Sequence, residues 1–145
     1  EDTRILLNQV AKLKNINLRN KLGHQSFIWG DDNMLQSLIQ NLISNAIKFT
    51  PNGGSIEISE NQFDNYIEYI VSDTGVGIKD ENIDKLFRID VSFTTIGTQQ
   101  EKGTGLGLAL CKEIVNIHDG NISLKSKVGI GTQIIFTLNK PKNYQ

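Results

Sequence analysis

The stretch EKGTGLGLAL, residues 101–110, sets Gly103, Gly105 and Gly107 at alternate positions directly before an apolar run with helical spacing. Glycine permits positive φ and close backbone approach, and a helix start leaves amides unpaired, so such a junction suits an anion, above all a phosphate. Two phosphate loops are excluded by the neighbouring residues. The P-loop needs Lys and then Ser or Thr directly after its last glycine, where this chain has Leu108 and Ala109. A dinucleotide fingerprint needs a strand ahead of the loop and a glycine near position 110, where TIGTQQ and Leu110 stand instead. A flexible loop feeding a buried helix stays open on these residues alone.

Length and charge narrow the field. The 145 residues suit one domain, long enough to remove about two thirds of the unfolded surface from water in a single core. Lysine and arginine total 15 against 16 acids, a net charge of -1, so no basic field points to nucleic acid or an anionic membrane and recognition must be local. The single cysteine, Cys111, lies among Leu108, Leu110, Ile114 and Val115, cannot form an internal disulfide, and reads as a core residue. No apolar run has the length of a membrane span and no signal sequence opens the chain, which predicts a soluble protein of a reducing, cytoplasmic compartment. The chain opens on EDTRILLNQVAKLK without an initiating Met, which predicts a piece of something longer, whose parent could carry an anchor in the inner membrane.

Residues 2–14 carry Ile5, Leu6, Val10 and Leu13 at helical spacing, and INLRNKL after them alternates as a strand does. FIWG, residues 27–30, reads as a short strand, after which Asp31 or Asp32 caps a long helix running to about Lys48. Thr50, Pro51, Asn52, Gly53 and Gly54 break that helix. SIEISE and YIEYIVSD, separated by NQFDN, read as a hairpin. From Thr74 to Thr104 the chain is polar and glycine-dotted except for a helical piece around ENIDKLF, and irregular chain of that length in a compact domain reads as a mobile lid. A helix over 106–118 closes at Asp119-Gly120, and NISLKSK and GTQIIFTLN supply a last strand pair. PKNYQ reads as a trailing linker, giving a domain over 1–140 and a linker over 141–145. Strand-forming segments on both sides of helices, without regular strand-helix-strand alternation, predict an α+β fold: a two-layer α/β sandwich. Its mixed, mostly antiparallel sheet of about five strands carries three helices on one face.

On the long helix Ser37, Asn41, Ser44 and Lys48 recur as one polar stripe, Leu35, Leu38, Ile39, Leu42 and Ala46 face the other way, and Asn45 stands on the border. A solvated helix side explains such a stripe as well. Yet an amide oxygen can ligate a hard cation such as magnesium, and an ammonium can neutralise a phosphate oxygen. VSDTGVGIKD, residues 71–80, ends an apolar strand on Asp73 and turns on Gly75 and Gly77. The carboxylate only accepts hydrogen bonds, so it suits an exocyclic amine such as that of adenine, although Asp-Thr-Gly is equally good turn chemistry.

In this order NLISNAIKFTPNGG, DTGVGI and EKGTGLGLALCKEIV resemble the N, G1 and G2 boxes of the histidine kinase catalytic domain, part of the ATP-binding superfamily shared with gyrase and certain chaperones. The resemblance covers nearly the whole chain. LFRIDVSFTT, residues 86–95, stands where that family has its F box, without the usual Phe-x-Pro-Phe form. The resemblance implies ATP and Mg2+ as cofactors, Asn45 as the magnesium ligand, and Asn41 and Lys48 beside the phosphates, the three forming the catalytic set. It implies Asp73 on the adenine amine, a turn of Gly75, Gly77 and Ile78 in which Gly77 allows close approach, and Phe49 on the base or sugar side. Lys102, Gly103, Thr104, Gly105, Leu106 and Gly107 are implied as the loop whose amides receive the phosphates. Thr132 matches a position that supports the adenine contact through water.

The superfamily's hydrolytic members place Glu four residues before the magnesium-binding Asn to activate water; this chain has Asn41 there, which cannot act as that base. A neutral imidazole, with an unperturbed pKa of about 6.5, is already a nucleophile near neutral pH. The implied chemistry is therefore transfer of the ATP γ-phosphate to a histidine, by positioning and charge neutralisation. Neither His24, in the polar LGHQS connection, nor His118, at a helix end where a partly charged imidazole suits the dipole, reads as the acceptor. The family's acceptor lies on an upstream dimeric hairpin. This implies as partners a phosphoacceptor helical-hairpin domain of the same parent and a response regulator receiver domain, with a monomeric fragment, a homodimeric parent and no nucleic acid. Two alternatives stay open: a degenerate module that binds nucleotide or protein without transfer, and a hydrolytic ATPase, which Asn41 opposes.

Overall fold

The structure, a computed structural model, describes residues 15–22, 28–81, 83 and 107–141. Helix α1 (Asp32–Phe49) begins where Asp31, extended at φ -89° and ψ 122°, accepts at Oδ1 from Met34 N at 2.9 Å. Asp32 in its first turn and Lys48 in its last suit the helix dipole. It stops at Thr50 because Pro51 disfavours the helical region for the residue before it: Thr50 sits at φ -101° and ψ 125°, and its buried hydroxyl donates to Ala46 O at 2.6 Å. Helix α2 (Gly107–Ile117) ends in a Schellman closure, with Gly120 N donating to Val115 O at 2.9 Å and Asp119 N to Asn116 O at 3.0 Å. The left-handed residue of that closure is Asp119 (φ 57°) rather than the glycine. Gly120 is required for another reason: a methyl group there would stand 2.0 Å from Thr137 O.

Five strands, β1 (Asn17–Lys21), β2 (Ser55–Gln62), β3 (Tyr66–Asp73), β4 (Ile122–Lys127) and β5 (Gly131–Asn139), form one sheet in the order β1-β2-β3-β5-β4. The β1–β2 pair is parallel and the other neighbours are antiparallel. Strand alternation sends Ile56, Ile58, Val71, Ile134, Phe136 and Leu138 to one face, where they join Leu38, Leu42 and Ile47 of α1 and Cys111, Ile114 and Val115 of α2 in a single core. Each aliphatic side chain buried there contributes about 1.5–3 kcal/mol, so this seam fixes the two layers against each other. Cys111 is wholly buried, and burial pushes its thiol up to about 12, as suits a packing residue. Among the described residues no helix is long and apolar enough to cross a membrane.

The architecture is the α+β two-layer sandwich expected, with two helices among the described residues. The third predicted helix, over 2–14, lies outside them, as do most of the predicted lid and the linker residues 142–145. Of the helical piece around ENIDKLF, Asp80, Glu81 and Ile83 are helical and the rest lies outside. Two expectations need correction. Residues 28–30 form no strand: β5 already has neighbours on both sides, so this segment meets only its end, through Trp29 N donating to Asn139 O at 2.8 Å. The hairpin joint is also tighter than NQFDN suggested, because Asn61 and Gln62 continue β2 opposite Glu68 and Ile67, and Asn61 Nδ2 donates to Glu68 Oε1 at 3.1 Å.

Candidate active site

Asp73 closes β3, on the same side of the sheet as the buried Val71 two residues earlier. Two amides converge on its Oδ1: Gly75 N at 2.8 Å and, from the facing strand, Thr132 N at 3.2 Å. Oδ2 has no hydrogen-bond partner among the described residues. Burial raises the carboxyl above its ordinary range, and the Gly75 and Thr132 amides oppose that rise. The outcome is a fixed carboxylate with one oxygen left to accept from a ligand.

The turn after β3 is held from several directions. Val76 N donates to Phe49 O at 3.1 Å, Val76 O accepts from Gly129 N at 2.9 Å, and Ile78 N donates to Ser126 Oγ at 2.7 Å. Gly77 lies at φ +78°, and a methyl group on it would stand 2.2 Å from Lys127 O, so the chain's own backbone demands glycine there. Phe49, half-buried at the end of α1, serves this turn through its carbonyl, and its ring centre lies 5.0 Å from Lys48 Nζ. Ser126 stands opposite Thr132 in the β4–β5 register, with Oγ 2.8 Å from Thr132 Oγ1 and 3.1 Å from Gly131 O. Sequence reasoning singled out Thr132 and missed Ser126; the available signal was the hairpin register, which sets 126 against 132 once the strands are aligned about VGIG.

Midway along α1, Asn41 Nδ2 donates to Ser37 O at 2.8 Å, which fixes the amide's orientation. Its Oδ1 faces the start of α2, 3.7 Å from where a methyl group on Gly107 would be. As placed, Asn41 offers an oxygen, suited to a cation or an N–H rather than to a phosphate oxygen. Asn45 and Lys48, both partly buried, lie between Asn41 and Phe49 on the same helix, a run of about 12 Å at the helical rise per residue. Thus α1 joins the start of α2 to the turn carrying Asp73. Lys102, Gly103, Thr104, Gly105 and Leu106 lie outside the described residues. A groove of about 300 Å³ also opens at this end of the sheet. Its walls include Asp73, Ser126 and Thr132 of the strand end together with Ser72, Lys125 and Gln133 of the outer face, and no residue of α1.

Among the described residues no three His, Cys, Asp or Glu side chains cluster to hold a metal. A cation beside α1 would take neutral amide oxygen, water and its ligand's own phosphates, a hard and sparse donor set that suits magnesium. His118 is buried and fully engaged: Nδ1 lies 2.7 Å from Ile114 O, and Nε2 accepts from Asp31 N at 3.1 Å. That geometry fixes the neutral Nδ1–H tautomer, which corrects the partly charged helix-end imidazole expected and gives the ring a structural role. Gly30 makes room for it, since a methyl group there would stand 2.7 Å from His118 Cδ2. His24 lies outside the described residues.

A strand-end carboxylate beside an asparagine-bearing helix, both backed by one mixed sheet, defines an α/β sandwich of the nucleotide-binding class. The chain belongs to the histidine kinase-, DNA gyrase B- and HSP90-like ATPase family, whose match runs over residues 30–142. It is 38% identical over 106 residues to the histidine protein kinase DivJ of Caulobacter vibrioides, a match covering 72% of this chain and 17% of that protein. It is 42% identical over 115 residues to the sensor histidine kinase RcsC of Escherichia coli K12, covering 77% of this chain and 12% of that protein. The chain therefore spans less than a fifth of the length of these curated relatives. The catalytic domain of the histidine kinase ThkA, in a nucleotide-free form, superposes with a TM-score of 0.81 at 26% identity, over 96% of this chain and 90% of that one.

Proposed function

We propose that residues 1–140 form the ATP-binding catalytic domain of a two-component sensor histidine kinase. In this reading it passes the ATP γ-phosphate to a histidine on a helical-hairpin domain of the same parent, which in turn serves a response regulator receiver domain. Asp73 supports the reading most: two amides hold one carboxylate oxygen and leave the other to accept the exocyclic amine of adenine. Lys48 neutralises phosphate charge, and Asn41 and Asn45 present amide groups along the phosphate side of α1. Asn45 would hold Mg2+ through its amide oxygen, and the bound ion would supply charge neutralisation on the phosphates. Asn41 has no carboxylate to activate water, which favours an imidazole acceptor over hydrolysis. His118 is not that acceptor, for both of its nitrogens are engaged in the core. The domain works in the cytoplasm, within a homodimeric parent.

The test is transfer of label from radioactive ATP. The isolated chain is expected to stay unlabelled, and addition of the parent's hairpin domain is expected to give a label on the hairpin that survives base and is lost in acid, as a phosphorus–nitrogen bond requires. Tight ATP binding with an unlabelled hairpin would make this a binding module. Steady ATP turnover by the chain alone would make it a hydrolase.

A further inference from the structure

We propose that the outer edge of β4, with the lysines beside it and the apolar turn that follows it, docks an extended acidic segment of a partner protein, which joins the sheet as a further strand. The inference is independent of the proposed function. β4 stands last in the sheet, with β5 on one side and no strand among the described residues on the other. Such an edge offers a row of backbone N–H and C=O groups, the surface to which extended peptides add as new strands. Ile122 and Leu124 of β4 pack against the core, so Ser123, Lys125 and Lys127 alternate to the opposite face, where all three are exposed. Lys125 and Lys127 wall the groove of about 300 Å³ together with Ser72 and Gln133, and neither has an ion-pair partner among the described residues. Asp73, the one acid in those walls, lies on the core side of the sheet, with Oδ1 already taken by two amides.

Charge, apolar surface and backbone together select the occupant. Two lysines set two positions apart call for acids at alternate positions of the incoming strand, because residues opposite one another across a ladder share a face. Beyond Lys127 the side chains of Val128 and Ile130 are 59% and 62% exposed, and Gly129 N donates to Val76 O at 2.9 Å, which joins the turn bearing Val76, 44% exposed, to theirs. This apolar surface on two bonded turns suits an apolar residue just past the acids of the segment. A second copy of this chain is a poor occupant. Antiparallel pairing of β4 with itself sets Lys125 opposite its own counterpart or opposite Lys127, and like charges directly opposite are destabilising. Nucleic acid would complement the lysines but has no peptide backbone to pair with the edge. Lysines on an edge strand also guard it against self-association, and the measurement separates that role from docking.

The probe is a fluorescein-labelled peptide of six residues, the length of β4, in which glutamate and valine alternate so that all its acids share one face. Anisotropy titration with the whole chain is expected to give saturable binding. Lys125→Glu combined with Lys127→Glu is expected to weaken it about tenfold, with the melting temperature unchanged, since both side chains are exposed. Two further peptides carry N-methyl groups, one on the valine amides and the other on the glutamate amides. Only alternate amides of an edge strand face its neighbour, so one of the two is expected to bind about tenfold more weakly and the other to bind as before. Equal effects of the two methylation patterns would mean that no ladder forms and would overturn the proposal. Binding undiminished by the charge reversal, or no saturable binding to the parent chain, would do the same and leave the lysines as a guard of the edge. Displacement of the peptide by oligothymidylate at equal concentration would assign the surface to a polyanion instead.

Discussion

The strand end and the helix end of the site are built by different means. At the strand end Asp73, Ser126 and Thr132 are tied to backbone groups of the turn after β3 and of the β4–β5 hairpin, and Gly77 fits only because no side chain separates it from Lys127 O. At the helix end Asn41, Asn45 and Lys48 stand along one helix, and Asn41 donates to Ser37 of its own preceding turn. The strand end is thus part of the folding of the sheet, whereas the helix end is a row of side chains on a helix that the core holds regardless. Substitutions at the strand end should disturb stability and base recognition together; those at the helix end should disturb phosphate chemistry alone.

The sharpest test of that division is Asn45→Ala. Loss of an amide oxygen beside the phosphates is expected to lower transfer to the hairpin domain by about a thousandfold, the upper range for removal of one preorganised electrostatic group, with the melting temperature unchanged. A fall in melting temperature of several degrees would show that Asn45 belongs to the fold. Next in size is Asp73→Ala, expected to weaken ATP binding about a hundredfold by removing the amine's acceptor and to release the amides of Gly75 and Thr132, at about 2 kcal/mol of stability. Equal ATP affinity in variant and parent would remove Asp73 from the base site. Gly77→Ala comes third. Its left-handed φ alone costs an alanine about 1–2 kcal/mol, and the approach of Lys127 O adds to this, so chemical denaturation should find it less stable than the parent before any nucleotide is added. Unchanged stability would mean that the turn can shift, and the strand end would then be less rigidly built than the comparison holds.

How much of this was legible in the sequence follows the same division. The helix end could be read directly, because spacing along one helix fixes which side chains share a face: the stripe through Ser37, Asn41 and Lys48 needed no tertiary information. The N-cap at Asp31 and the stop at Pro51 are local for the same reason. The strand end was legible only in Asp73 and Thr132. Ser126 acts through a hydrogen bond to Ile78, 48 positions away in the chain, and the demand for glycine at 77 comes from the carbonyl of a residue in another hairpin. His118 finds its partner amide 87 positions away, at the cap of α1, so its neutral state could not be foreseen from the helix that carries it. FIWG was misread because strand propensity says nothing about whether a sheet edge is free to receive it.

The smallest expected effect concerns pH and separates the two roles of Asp73. Burial is the leading influence on its carboxyl and raises it above the ordinary carboxylate range, with the Gly75 and Thr132 amides opposing. For a carboxyl raised in this way, the stability contribution is fully present below the unfolded value and is lost as pH rises through the folded one. On acidification through that window, the nucleotide-free chain should therefore gain stability from this group relative to Asp73→Asn, which cannot titrate. Binding should move the other way. A protonated Oδ2 turns its proton toward the adenine amine and ceases to accept, so ATP affinity should fall with decreasing pH, approaching about tenfold per unit once the group is mostly protonated. The fall should begin above the pH at which an ordinary aspartate titrates and should be absent in Asp73→Asn. Parallel loss of affinity in parent and variant would trace the pH dependence to the phosphates and the helix end, and would leave Asp73 a structural residue of the turn.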